Sequence, residues 1–214
     1  ASSSSSRLCC GRTYLSSGLL REARQEALKV IGRLHKFVES GIPVVGLEPS
    51  CMFTIRDDYP ALFPGPDSEA LASHVQLLDE FLFQEHQKGQ LKLPLRKISK
   101  EKIWVHGHCH QKAANATGST LGILQTIPGL EVELIPSSCC GMAGSFGYES
   151  ENYEISMKMA ELSLLPKIRT LDQNHGIVAC GTSCRQQIQH GSGKSAMHTA
   201  QILRRAISEA SSIN

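Results

Sequence analysis

The chain has 214 residues, of which 41% are hydrophobic, 20% charged and 5% aromatic, enough apolar material for one sizeable core or two small ones. That excludes disorder and fibre. Lys and Arg number 22 against 20 Asp and Glu, and the formal charge of +2 is too weak a field to make nucleic acid or lipid the expected partner.

No apolar run approaches the roughly 20 residues of a spanning helix. Residues 1–6, an alanine and five serines, lack the charged and apolar regions of a signal peptide and read as a disordered linker, so the expectation is a soluble, cytoplasmic chain. Eight cysteines stand out, grouped as Cys9-Cys10, Cys51, Cys109, Cys139-Cys140, Cys180 and Cys184.

In chain order, Leu20, Ala23, Ala27, Val30, Ile31, Leu34 and Val38 recur at helical spacing and predict a helix over 18–40 with one buried stripe. Residues 44–47, after Gly41-Ile42-Pro43, read as a short buried strand, and Cys51 follows it. A short helix near 52–62 comes next, then a longer one over 67–87 with Asp67 or Ser68 as cap, and 91–100 is connecting loop. Residues 102–106 form a strand leading into Gly107-His108-Cys109-His110 and a helix over 111–126. A strand over 130–135 enters the loop 136–147, which carries Cys139-Cys140. A helix over 151–172, a strand over 177–179, Cys180, Cys184 and a last helix over 196–210 complete the chain.

This alternation implies parallel strands joined by helical crossovers, a doubly wound α/β fold of short parallel sheets flanked by helices. Ligands in such sheets bind outside the carboxyl ends of the strands, where six of the eight cysteines fall. Cys9 and Cys10 obey the rule only if a strand precedes them, so one is expected upstream. The pattern Cys9-Cys10-Gly11, long helix, Val44-Val45, Ser50-Cys51 returns as Cys139-Cys140-Gly141, long helix, Ile177-Val178, Ser183-Cys184. The offset is 130 residues at the pair and 133 at the closing cysteine. Two pseudo-repeated units, 1–95 and 96–214, are the expected domains.

Disulfides are unneeded in a core of this size, and bonding neighbours such as Cys139 and Cys140 strains the peptide between them. Buried packing explains one or two single cysteines but not a repeated position beside glycine. Zinc suits four thiolates, or thiolates mixed with His106, His108 or His110, although adjacent cysteines make an awkward chelate. An iron–sulfur cluster uses more thiolates at once and suits a loop containing Gly141, Gly144 and Gly147, whose amides can approach sulfur. The three histidines alternate as on an extended segment and are read either as donors beside a metal group or as solvated loop residues. Lys112 and Arg185 can balance thiolate charge or lie in solvent. Met142, Met157 and Met159 read as core. The run His190-Gly-Ser-Gly-Lys-Ser195 lacks the first glycine and the leading strand of a phosphate loop, so nucleotide binding is discounted.

Cys109, Cys139-Cys140-Gly141 and the closing Cys180 and Cys184 resemble the cysteine-rich CCG domain family. Its members include the CCG-bearing subunit of heterodisulfide reductase, the iron–sulfur subunits of glycolate oxidase and of anaerobic glycerol-3-phosphate dehydrogenase, and lactate-utilisation proteins. His106-Gly-His-Cys-His-Gln-Lys112, Ser137-Ser-Cys-Cys-Gly-Met-Ala-Gly-Ser-Phe-Gly-Tyr148 and Gly181-Thr-Ser-Cys-Arg185 are most similar to the C-terminal part of fusions of an FAD-linked oxidase with an iron–sulfur oxidoreductase.

The resemblance implies that Cys109, Cys139, Cys140 and Cys184, with Cys180 as a fifth candidate, ligate a cluster of the 4Fe-4S type, in some members a non-cubane one. The closing pair here has three residues between its cysteines where the motif has two. Cys9, Cys10 and Cys51 would form a second metal site, degenerate or completed upstream, with Glu48-Pro49-Ser50 where a further thiolate is expected. The implied function is the electron-transfer or thiol-redox module of an FAD-linked oxidoreductase acting on a 2-hydroxy acid or related substrate, inactive alone. The flavin-binding dehydrogenase and a ferredoxin-like iron–sulfur domain would lie outside the chain, in the cytoplasm or at the inner membrane through partners. The alternative is a zinc-stabilised structural or subunit-interaction domain without redox activity.

Overall fold

A computed structural model describes residues 8–100 and 102–207. The expected serine linker, the expected upstream strand and the end of the last expected helix lie outside the described residues. The chain divides into two compact units after Leu77.

In the first unit a short helix α1 (Arg12–Ser16) precedes α2 (Leu20–Glu39). The helix α2 buries Ala23, Ala27, Val30, Ile31 and Val38 along one stripe, whereas Leu20, expected on that stripe, is exposed at the first turn. Strand β1 (Val44–Gly46) leads into α3 (Pro49–Phe53), a π-helical turn (Thr54–Asp58) and α4 (Tyr59–Leu62).

The long helix expected over 67–87 does not form. Helix α5 (Pro66–His74) stops at Val75, and β2 (Val75–Leu77) pairs in parallel with β1, Val44 against Val75 and Gly46 against Leu77. β-Branched Val75 is favoured in the extended state, and Val75 and Leu77 are both buried there. Ala27, Val30, Ile31, Ile55, Tyr59, Leu71 and Val75 form the core of this unit.

The second unit begins with α6 (Leu78–Gln87), whose Leu82 and Phe83 pack on the core that includes Ile123 and Leu124 of the later helix α8 (Thr117–Gln125). That packing puts the division ahead of the 91–100 segment expected from sequence. Strands β3 (Lys102–His106), β4 (Glu131–Leu134) and β5 (His175–Ala179) form a parallel sheet in the order β4-β3-β5, extended beyond β5 by a bridge between Val178 and Met197. Lys102 pairs with Glu131 at 2.6 Å and Glu133 at 2.7 Å, placing charge on the edge strand β4.

The strand period of two sorts side chains to two cores. Ile103, Val105, Val132 and Val178 face α8 and α12 (Thr199–Ala206). Trp104, Ile177 and Ala179 face α10 (Leu164–Arg169) and α11 (Thr182–Ser192). Helices thus cover both faces, as expected for a doubly wound α/β fold.

Two expected helices are each divided. The one over 111–126 is α7 (Cys109–Ala113) and α8, separated at Asn115, whose φ of 56° breaks the helical path. The one over 151–172 is α9 (Tyr153–Glu161) and α10, because Pro166 cannot donate to the Leu162 carbonyl one turn back. Lys194, in the discounted phosphate-loop segment, donates to Ile168 O at 3.0 Å and Leu171 O at 2.5 Å and so satisfies carbonyls at the end of α10. Among the described residues no helix is long and apolar enough to cross a membrane.

Leu164 is fully buried while Leu162 is 78% exposed. Leu164→Ala is expected to cost about 2–5 kcal/mol in denaturant unfolding, and Leu162→Ala less than about 0.5 kcal/mol.

Candidate metal centre

Each strand of the second unit delivers sulfur at its carboxyl end. Cys109 opens α7 just past β3, Cys139 and Cys140 follow β4, and Cys184 sits in the first turn of α11 past β5. Their side chains converge there in a row: the Cys140 and Cys184 sulfurs lie within 4.8 Å of one another, and Cys109 with Cys139, and Cys139 with Cys140, are close enough to shift each other's ionisation. All eight cysteines of the chain are free thiols.

Neighbouring thiols shift one another in alternating directions along the row. Hydrogen bonds from Cys109 and Cys140, joined by the Gly141 amide at 3.2 Å, hold Cys139 well below the usual thiol range. The Cys140 thiol, with the imidazoles of His106 and His108 nearby, holds Cys184 low. Cys109 and Cys140 are pushed up, first by donating to those neighbours and then by burial. The Lys112 ammonium is anchored to Ser137 O and Ser138 O; burial lowers its pKa, and the charges of the four cysteines oppose that shift.

The buried His106, at the end of β3 and in line with Trp104, lies on the same face as Cys140 and Cys184. One ligand atom of each of the three lies within 4.8 Å of the others. Its Nδ1 is 2.9 Å from Ser137 Oγ, and its Nε2 has no hydrogen-bond partner of good geometry. A buried imidazole nitrogen without an oxygen or nitrogen partner calls for an explanation, and a metal group beside these sulfurs is one that their chemistry allows.

The surrounding backbone is cut to fit. A Cβ on Gly181 would come within 2.6 Å of His108 Cδ2 and 3.3 Å of Cys184 Sγ, and one on Gly141 would overlap Ser156 O. Four soft thiolates, amide donors and one lysine suit an iron–sulfur cluster by donor chemistry and charge. The residues present therefore fit such a group.

Comparison with known proteins gives distant relatives. The chain is 29% identical over 202 residues to a subunit of the Anaerobic glycerol-3-phosphate dehydrogenase of Escherichia coli (strain K12), covering 93% of this chain and 49% of that protein. It is 30% identical over 197 residues to D-2-hydroxyglutarate dehydrogenase of Pantoea ananatis (strain AJ13355), covering 90% of this chain and 18% of that protein. It is 27% identical over 187 residues to Lactate utilization protein A of Anoxybacillus flavithermus (strain DSM 21510 / WK1), covering 82% and 71%. The chain thus spans about half the length of the first of these, 49%, and less of the second. No family model and no solved structure matches it.

Of the expected ligands, Cys180 is not in the row. Its buried thiol is 3.2 Å from Asp79 Oδ2 and 3.3 Å from Thr199 Oγ1, and burial, with the Asp79 charge behind it, pushes its pKa up. Arg185 does not turn to the sulfurs either: it donates to Ala179 O at 2.9 Å, Cys180 O at 2.6 Å and Thr182 Oγ1 at 3.1 Å, fastening the β5–α11 turn. Met142 is buried core, as expected, and Met157 and Met159 are half-buried.

Residues the sequence did not single out are Asp79, Thr120 and Gln111. Thr120 donates to Asp79 at 2.6 Å, Gln111 donates to Thr120 at 3.1 Å, and Gln111 Oε1 accepts from the His108 amide at the start of α7. His108 and Gln111 form a reciprocal cap there, which fixes the helix that carries Cys109.

The first unit has the same local geometry with fewer sulfurs. Cys10 Sγ and Cys51 Sγ are 3.1 Å apart, and the Gly11 amide is 3.4 Å from Cys9 Sγ, as Gly141 is to Cys139. The Cys51 contact lowers Cys10 to about 7, and Cys51 is pushed up. Tyr59 donates to Cys10 O at 3.0 Å, and Arg12 pairs with Asp58 at 3.0 Å.

A Cβ on Gly141, at φ 91°, would overlap the Ser156 carbonyl oxygen, whereas one on Gly11, at φ 79°, would stand 3.1 Å from Ala23 O. Gly141→Ala is expected to lower unfolding stability by at least about 2 kcal/mol, and more than Gly11→Ala, in parallel chemical denaturation.

Proposed function

We propose that this chain is the iron–sulfur electron-transfer module of an FAD-linked oxidoreductase acting on a 2-hydroxy acid or related substrate. The observation that carries the reading is the convergence of Cys109, Cys139, Cys140 and Cys184 at the carboxyl ends of the strands of one parallel sheet. The relatives support the substrate class, since two of the names given above refer to D-2-hydroxyglutarate and lactate. Two pseudo-repeated CCG units, unequal in ligand number, are part of the proposal. So are a cytoplasmic location and docking to flavin-binding and ferredoxin-like partners.

Cys109, Cys139, Cys140 and Cys184 would hold the cluster, which when bound supplies one-electron chemistry. The chain's own residues then set its surroundings. The Gly141 amide donates to Cys139 sulfur and withdraws charge from it. Lys112 offsets thiolate charge, and the core around Trp104, Ile135 and Ile188 keeps water from the buried end of the row. Cys9, Cys10 and Cys51 offer three thiolates to a weaker second site, which leaves a ligand position to be filled from elsewhere.

A second reading has one observation in its favour: His106, Cys140 and Cys184 are also a ligand set that zinc accepts. In that case the domain is stabilised by metal and serves structure or contact with partner proteins.

Metal and acid-labile sulfide analysis of anaerobically prepared protein separates the two. Cys139→Ser and Cys140→Ser are each expected to lose most of the iron and sulfide of the second unit, and Cys180→Ser is expected to keep both. Zinc without sulfide in the parent chain would support the structural reading instead.

A further inference from the structure

We infer that His106 is itself a ligand in the second-unit centre, binding metal through Nε2, so that the donor set there mixes nitrogen with sulfur. The inference rests on the proposed cluster site and adds an atom to it.

Three features of the structure point the same way. First, His106 is 1% exposed and ends β3, so its position is set by a central strand paired on both sides, Val105 with Val178 and His106 with Ala179 on the β5 side. A ring placed there cannot turn out to water. Second, its two nitrogens have different surroundings. Nδ1 is 2.9 Å from Ser137 Oγ, and Ser137 has a carbonyl for its own hydroxyl proton, Ile135 O at 3.4 Å. The serine oxygen can then accept from Nδ1–H, and in that tautomer the lone pair is on Nε2. Third, Nε2 has no oxygen or nitrogen partner, a ring nitrogen of His106 lies within 4.8 Å of ligand atoms of Cys140 and Cys184, and the imidazole acts directly on the Cys184 sulfur.

An N–H fixed to an outer partner, with the other nitrogen presented bare to soft ligands, is how metal-bound imidazoles are held. Leaving that nitrogen buried and unmatched carries a desolvation penalty, and a bond to metal removes it. His108 is arranged differently: its Nδ1 accepts from the His110 amide at 3.2 Å as part of the α7 cap.

The competing arrangement is a proton on Nε2 donated to the Cys184 sulfur. Hyperfine spectroscopy decides between them, using anaerobically reconstituted, dithionite-reduced protein labelled with ¹⁵N-histidine. Direct ligation gives a large nitrogen coupling, which should vanish in His106→Ala and persist in His108→Gln. Should His106→Ala fail to fold, His106→Cys keeps a ligand at the position and must show the same loss of coupling. Replacement of nitrogen by thiolate in His106→Cys is further expected to shift the reduction potential downward, since imidazole ligation raises cluster potentials.

A wild-type protein that contains iron and sulfide yet shows only the weak coupling of a hydrogen-bonded nitrogen overturns the inference while leaving the cluster reading standing. A wild-type protein without iron and sulfide overturns both.

Discussion

Bringing four sulfurs and an imidazole nitrogen to one end of a three-stranded parallel sheet is the constraint on which the second unit depends. Thiols so close cannot all ionise, and the row settles into alternating low and high pKa values along Cys109, Cys139, Cys140 and Cys184. The local sequence answers that crowding. Glycine stands where a Cβ would collide with the His108 ring or a neighbouring carbonyl, at 181 and 141, and Lys112 supplies positive charge. A polar network behind α7 and α11, from Asp79 through Thr120 to Gln111, fixes the turns that hold the first and last sulfur donors.

Much of the sheet was legible because buried parallel strands write themselves as short apolar runs, and because each strand is followed by a cysteine. The stripe on α2 was legible for the same kind of reason, a sustained period near 3.6. Strand β2 was not: Val75, Gln76 and Leu77 are three residues set between helical segments, too few to show a period of two. The breaks at Asn115 and Pro166 had local signals, a left-handed asparagine and a proline inside a helical pattern, which the hydrophobic spacing outweighed.

The site was legible as a list of sulfurs and less so as a geometry. Cys180 shares the strand end and the spacing of a ligand, yet its thiol turns to Asp79 and Thr199. Only three-dimensional contact shows this, since the aspartate lies 101 residues away. Asp79 itself gave no sign, being one more acidic residue at the first turn of a helix. His106 had a usable signal: the alternation along β3 puts it on the same face as Trp104, toward the core that contains Cys140 and Cys184.

The sharing of one iron-containing group by these sulfurs is tested most directly by anomalous diffraction from an anaerobically grown crystal, with data on both sides of the iron edge. The expected result is an iron peak in the second unit enclosed by Cys109, Cys139, Cys140 and Cys184, with Cys180 still turned to Asp79. A peak that responds only at the zinc edge, or no metal peak with the four thiols paired among themselves, would contradict it.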